Sequence, residues 1–282
     1  MEAERPRPIR VVLFVDDSEH WHSAARLLGE FIRRAGGHVT ITSSLLLPGS
    51  RQRAMQKAKD ILGLAEEQVA LHGRAGIIEY TLPDVARQAD ADLVIVGRLG
   101  SADRLTSGLI AHLVAKRTPA SVLIARGRPQ ALRKIAVATE GARHGASDFE
   151  RAAEIARAFG AQLDILHVVN QMGLTDKGQE EIEEDLRDFL HSDAPEAGHL
   201  RELEARLREQ GLQGRIIVRA GLVVEELIEA VREGGHDLLV IGAHDIGAPG
   251  AHLYEDFASL ILRASPVSTL VVRDRARRPI ND

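Results

Sequence analysis

The chain has 282 residues, 44% of them hydrophobic, with a formal net charge of −5 and no cysteine. That length and apolar content suit two ordinary domains, each with its own core. The absence of cysteine excludes disulfides, thiolate metal sites and cysteine nucleophiles, and the acidic balance argues against a general nucleic-acid binder.

The polar opening, MEAERPRPIR, lacks an apolar signal core, and no apolar run is long enough to span a bilayer. The expectation is a cytoplasmic protein without membrane contact. Val11–Val15 is a continuous apolar run, as in a strand buried on both faces. It ends in Asp16-Asp17-Ser18, and Ser18 is placed to cap a helix carrying Ala24, Leu27, Leu28, Phe31 and Ala35. Gly36-Gly37 stops that helix, and His38–Thr42 reads as the second strand. Pro48-Gly49-Ser50 turns into a helix of roughly Arg51–Leu71. Gly76–Tyr80 reads as a third strand, and Thr81–Ala89 as a short helix with Pro83 near its start. Leu93–Val96 is a buried strand running into Gly97-Arg98-Leu99-Gly100. A polar loop, a helix from about Gly108 to Arg117 and a last strand, Val122–Ala125, follow. This alternation predicts an α/β fold with a parallel sheet and helices on both faces.

Gly127–Arg133 reads as a linker, after which the plan repeats. Strands are expected at Ile135–Ala138, Leu163–Val169, Arg215–Arg219 and near Leu239. Helices are expected around Phe149–Phe159, Leu200–Leu207 and Val224–Val231, and the acidic segment Lys177–Leu190 suits a short helix. A further glycine turn, a last helix and a final strand, Thr269–Val272, close the half. Asp16 maps to Glu140, His20 to His144, Gly36 to Gly160 and Ile41 to Ile165, all 124 apart; Gly97 maps to Gly242, 145 apart. The first half is thus 21 residues shorter between its second and fourth strands, a deficit the pattern places in helices 2 and 3. The expected domains are residues 1–128 and 129–282. A repeat this long means two whole domains.

Ile135-Ala136-Val137-Ala138-Thr139-Glu140-Gly141, the helix end Ala158-Phe159-Gly160-Ala161 and Leu163–Val169 resemble the opening of a universal stress protein domain. Asp237–Gly242 and Ser265–Val272 resemble its close. The first half is similar through Val15–His20, Ala91–Gly97 and Thr118–Ile124. The resemblance implies two tandem five-stranded parallel-sheet domains of Rossmann-like, nucleotide-binding type. It also implies pairing of such domains through their last strands, giving an intrachain pseudo-dimer with room for a homodimer of chains. The last strands would be exposed edges if left alone.

Some members of that family bind ATP through an acidic residue ending the first strand and a G-x2-G-x9-G-[ST] run after the fourth. Glycines let amides approach phosphates, and a helix N-terminus favours negative charge. Carried onto the first half, the nucleotide-binding residues are Asp16, Gly97, Gly100, Ser107 and Gly108. Here Gly108 follows seven residues instead of nine, and Leu109 stands in the hydroxyl place, with Thr106 and Ser107 just before it. The second half is degenerate: Glu140 and Gly242 remain, but Asp245 replaces the second glycine and puts a negative charge where phosphate would lie. The candidate ligands are ATP, ADP or AMP, with Mg2+ only alongside nucleotide. The GxxxxGK[ST] phosphate loop is absent, since only five of the 36 basic residues are lysines and none follows a glycine-rich loop.

Asp16, Asp17, His20 and His22 crowd one strand end, and His244, Asp245 and His252 form a looser group. Both read better as solvated helix starts than as metal sites, so no metal is assigned. His167 reads as a core histidine. No GxSxG, HExxH or Ser–His–Asp arrangement supports catalysis. The leading reading is a non-catalytic stress-response protein with an unidentified protein partner. The alternatives are an ATP-binding switch with slow hydrolysis, and a scaffold whose two pockets have both decayed.

Overall fold

The computed structural model describes residues 8–97, 104–127, 131–139, 145–170, 189–243 and 251–273. The chain separates into two compact units. Unit 1 holds the described residues of Met1–Ala131 and Arg273–Asp282, and unit 2 is Leu132–Val272.

Unit 1 contains β1 (Ile9–Phe14), α1 (His22–Ala35), β2 (Gly37–Ser43), α2 (Pro48–Leu62), β3 (Val69–Gly73), α3 (Ile78–Gln88), β4 (Leu93–Val96), α4 (Arg104–Arg117) and β5 (Ser121–Ile124). All four strand pairs are parallel, in the order β3-β2-β1-β4-β5. Its core joins Val11, Leu13 and Val15 of the first strand to Ala25, Leu28 and Ile32 of α1 and to Met55, Ala58 and Leu62 of α2. The sole tryptophan, Trp21, is part of that cluster.

Unit 2 repeats the plan with β6 (Lys134–Ala138), α5 (Gly145–Phe159), β7 (Gln162–Asn170), α6 (Pro195–Glu209), β8 (Ile216–Gly221), α7 (Val223–Gly234), β9 (Leu238–Gly242), α8 (Ala251–Ala264) and β10 (Ser268–Val272). Its strands are again parallel, in the order β10-β9-β6-β7-β8. In each unit the first strand therefore lies between the second and the fourth, as the alternation predicts.

One device fixes the register of the first and fourth strands in both units. Asp92 accepts from the Arg10 amide at 2.8 Å, and its own amide donates back to the Arg10 carbonyl at 2.8 Å. Its counterpart Asp237 accepts from the Arg133 and Lys134 amides at 2.8 and 3.0 Å and donates to the Lys134 carbonyl. The aspartate before each apolar strand is therefore a backbone clip. It satisfies amides that would otherwise end the sheet unpaired.

Several boundaries differ from the sequence reading. The long helix expected over Arg51–Leu71 stops at Leu62, because Gly63 adopts the left-handed conformation that ends helices (φ 57, ψ 39). Val69 belongs to β3, not to that helix, and the strand expected at Gly76–Tyr80 is replaced by the start of α3. Pro83 sits inside α3 and leaves the Glu79 carbonyl without its helical donor. The Arg117 guanidinium lies 3.5 Å from that carbonyl and 4.4 Å over the Tyr80 ring. Among the described helices, the second and third of unit 1 have 15 and 11 residues, against 15 and 12 in unit 2. In sequence, residues 44–47 separate β2 from α2 and residues 171–194 separate β7 from α6, of which 171–188 lie outside the described residues. The acidic segment Lys177–Leu190 lies almost wholly outside the described residues.

Leu227 is 3% exposed on α7, on the face shared with Ile228 and Val231. Leu227→Ala is expected to cost unit 2 about 2–5 kcal/mol, read as a lowered midpoint in urea unfolding followed by circular dichroism. An unchanged midpoint would mean that this face is not packed.

Candidate functional site

In unit 1, Phe14 pairs with Val96, so Gly97 falls level with Val15 and Asp16 follows one residue further on, beyond the ends of β1 and β4. Strand order reverses at this place, and open α/β sheets hold ligands in the crevice beyond it. The local chain is tightly folded. Asp16 Oδ1 accepts from the Ser18 amide at 2.9 Å and from the Ser18 hydroxyl at 2.5 Å. Ser18 is thus drawn into a turn with Asp16 instead of capping α1, which begins four residues later at His22. Trp21 donates its indole N–H to the Asp16 carbonyl at 3.2 Å and is 2% exposed. A side chain at Gly97 would place Cβ 2.9 Å from the Trp21 nitrogen and 3.1 Å from the His20 carbonyl carbon. Gly97 is therefore small because the β1–α1 loop crosses directly above it.

The remaining expected residues do not all converge here. α4 starts at Arg104, not near Gly108, so the helical amides without helical acceptors are those of residues 104–106. Gly108 is buried one turn inside the helix, where its amide bonds the helix itself. It cannot present that amide to an anion, which corrects its expected role. The Ser107 backbone lies within the first turn of α4. Gly100 lies outside the described residues.

In unit 2 the register carries Gly242 to the level of Thr139, at the ends of β9 and β6. Glu140 and Asp245 lie outside the described residues. His167 of β7 is buried, with Nδ1 3.0 Å from the Thr139 carbonyl and its ring stacked on Phe189 at 5.7 Å. Among the described residues no group of three or more histidine or acidic side chains is placed to hold a metal. His20 is exposed, and His22 meets the Trp21 ring edge-on at 4.3 Å. His244 and Asp245 lie outside the described residues.

The universal stress protein family model matches residues 131–273, half of the chain. The chain belongs to the universal stress protein family. No curated protein matches it. Among solved structures, it is similar to a universal stress protein from Archaeoglobus fulgidus, at 15% identity over 94% of this chain and 96% of that one, with a TM-score of 0.63. It is also similar to a functionally unknown protein from Pseudomonas aeruginosa, at 15% identity over 96% of this chain and 94% of that one, with a TM-score of 0.66. At that identity the likeness is one of fold.

This universal stress protein carries one polar pair that sequence reasoning passed over. Asp164 and His236 are almost wholly buried in unit 2, with His236 Nε2 3.1 Å from Asp164 Oδ2. His236 Nδ1 faces the Val231 carbonyl at 3.3 Å. Asp164 Oδ1 accepts from Gln162 Nε2 at 2.7 Å and from the Arg215 amide at 3.1 Å. Burial alone would raise the Asp164 carboxyl. The hydrogen bonds from His236, Gln162 and Arg215 outweigh it and hold the group below the usual carboxylate range. The signal was present in the sequence as a lone charge inside LDILHVV. A buried charge requires a partner. No helix among the described residues is long and apolar enough to cross a membrane.

Proposed function

We propose that this universal stress protein is a non-catalytic stress-response regulator whose unit 1 holds an adenine nucleotide. The observation that supports this is the reversal of strand order in unit 1, where Asp16 and Gly97 both follow within two residues of the paired ends of β1 and β4. Asp16 Oδ1 is committed to Ser18, which leaves Oδ2 to accept from a ribose hydroxyl or the adenine amino group. The first turn of α4 offers amides to phosphate. Gly97 contributes by admitting the loop, and Gly108 by packing. A nucleotide here would be ATP, ADP or AMP, with Mg2+ carried in on its phosphates. The ligand state would bias a contact with a protein partner. The match of both chains over nearly their whole length to solved structures supports a two-domain arrangement.

A second reading, a scaffold without ligand, is favoured by one observation: Gly108 has lost its amide to the helix. Titration calorimetry of the full chain with ATP, ADP and AMP separates the two. Binding is expected, abolished by Gly100→Asp and weakened roughly tenfold or more by Asp16→Ala, the loss of one charge-assisted hydrogen bond. Ser18→Ala loosens the same turn without removing the carboxylate and should leave most of the affinity. Absence of heat with all three nucleotides favours the scaffold. Binding untouched by Gly100→Asp would place the ligand elsewhere.

A further inference from the structure

Unit 2 also contains two buried histidines, His167 and His199, that the nucleotide reading does not use. His167 lies on β7 and His199 on α6, at 6% and 9% exposure. The His167 ring is held on two sides, by the Thr139 carbonyl at Nδ1 and by the stacked Phe189 ring. Because a carbonyl only accepts, Nδ1 carries the proton in the neutral ring. His199 Nε2 is buried and has no hydrogen-bond partner, a costly arrangement that becomes costlier still if the ring is charged. His167 also opposes protonation of His199 by like charge.

We propose that His167 and His199 form a proton-sensitive clasp. While both are neutral, the segment from Phe189 through the first turns of α6 packs onto β7. Uptake of a proton by either ring releases that segment.

The clasp joins two places of interest. Thr139 ends β6 beside the crevice of unit 2, and Phe189 leads through Ser192 and Pro195 into α6. Releasing the segment would therefore unstack Phe189 from His167 and free the ring beside the Thr139 carbonyl. The charged groups acting on the pair are known. Desolvation by burial is the main cause pushing both rings below the ordinary histidine range. Glu196 favours the proton on His167 and Glu202 favours it on His199, while Arg206 opposes it there. These carboxylates sit on α6 itself, so an opened α6 carries them away from His167. The sign follows from linkage. With the segment open, both histidines have ordinary basicity, and the protein binds more protons than in the closed form. Closure is complete above about pH 6.5 and weakens as pH falls from there toward the lower closed-state values.

The test uses the full chain. Proton NMR of the histidine rings, assigned with His167→Gln and His199→Gln, is expected to show these two titrating below the other histidines. Amide hydrogen exchange across residues 189–200, corrected for intrinsic chemistry, is expected to speed up about tenfold per pH unit for each histidine coupled to opening. In the double variant that pH dependence should vanish while exchange in β6 and β9 stays slow. Two rings that titrate like exposed histidines, or a wild-type segment whose corrected exchange is flat between pH 7.5 and 5.5, overturns the clasp. So does a folded double variant that keeps the wild-type dependence. If the double variant does not fold, the wild-type titration and exchange decide alone.

Discussion

His236→Ala is expected to destabilise unit 2 by about 3–5 kcal/mol. The change removes one partner of a pair in which neither side chain touches water appreciably, and it leaves a carboxylate in the interior. Gln162 and the Arg215 amide still reach Oδ1, so the loss falls on Oδ2. The first unit supplies its own control. At the matching positions, 124 before Asp164 and 145 before His236, it has Thr40 and Ala91. Thr40 pairs with Val12 as Asp164 pairs with Ala136, in the same register. Asp164→Thr combined with His236→Ala should therefore recover much of the loss, because removing both partners leaves no unpaired carboxylate inside. Urea unfolding of the single and double variants measures this. A double variant as unstable as the sum of its singles would show that the pair contributes packing and not charge. The Asp164 carboxyl is held below its unfolded value, so its contribution is fully present above the carboxylate range. It is lost as pH falls through the folded value. The wild type should show this acid loss, and the double variant should lack it.

Trp21→Ala is expected to cost unit 1 about 3–5 kcal/mol, the usual loss for a large buried aromatic. Trp21 lies between β1, α1 and the Gly97 backbone, and its indole nitrogen ties the loop back to Asp16. Trp21→Phe keeps much of the ring contact and gives up the N–H bond, so it should cost about 1 kcal/mol beyond the repacking. Because the loop from Asp16 to Trp21 bounds the crevice, the alanine variant should also lose nucleotide affinity. A melt unchanged by Trp21→Ala would mean that the loop is not anchored by this side chain.

The architecture was legible because parallel strands buried on both faces read as unbroken apolar runs. Val11–Val15, Leu93–Val96 and Leu238–Gly242 each stand out in that way, and the equal offsets of Gly36 and Gly160 expose the repeat. The α2–β3 region was misread. Ala65 and Val69 continue a helical spacing past Gly63, and spacing alone does not register a glycine in the left-handed conformation. β3 is an exposed edge strand, so it lacks the apolar run that marks the others. The site was half legible. Asp16 and Gly97 both follow the ends of neighbouring strands, and Gly97 answers to the chain crossing it. Gly108 was misplaced because the start of α4 carries no apolar periodicity to announce it. Tertiary partners such as Asp164 and His236, 72 residues apart, leave no local pattern at all.

The single indole also makes the protein optically lopsided. Trp21 is the only tryptophan in the chain and sits in unit 1. Emission excited at the red edge of protein absorbance will therefore report unit 1 alone, whereas far-ultraviolet dichroism reports both units. If the two signals lose their native values at different denaturant concentrations, the halves unfold as separate cooperative bodies. If they coincide, the halves lend each other stability. Nucleotide that shifts the emission colour without shifting the dichroism would be seen binding beside the indole, with no label added.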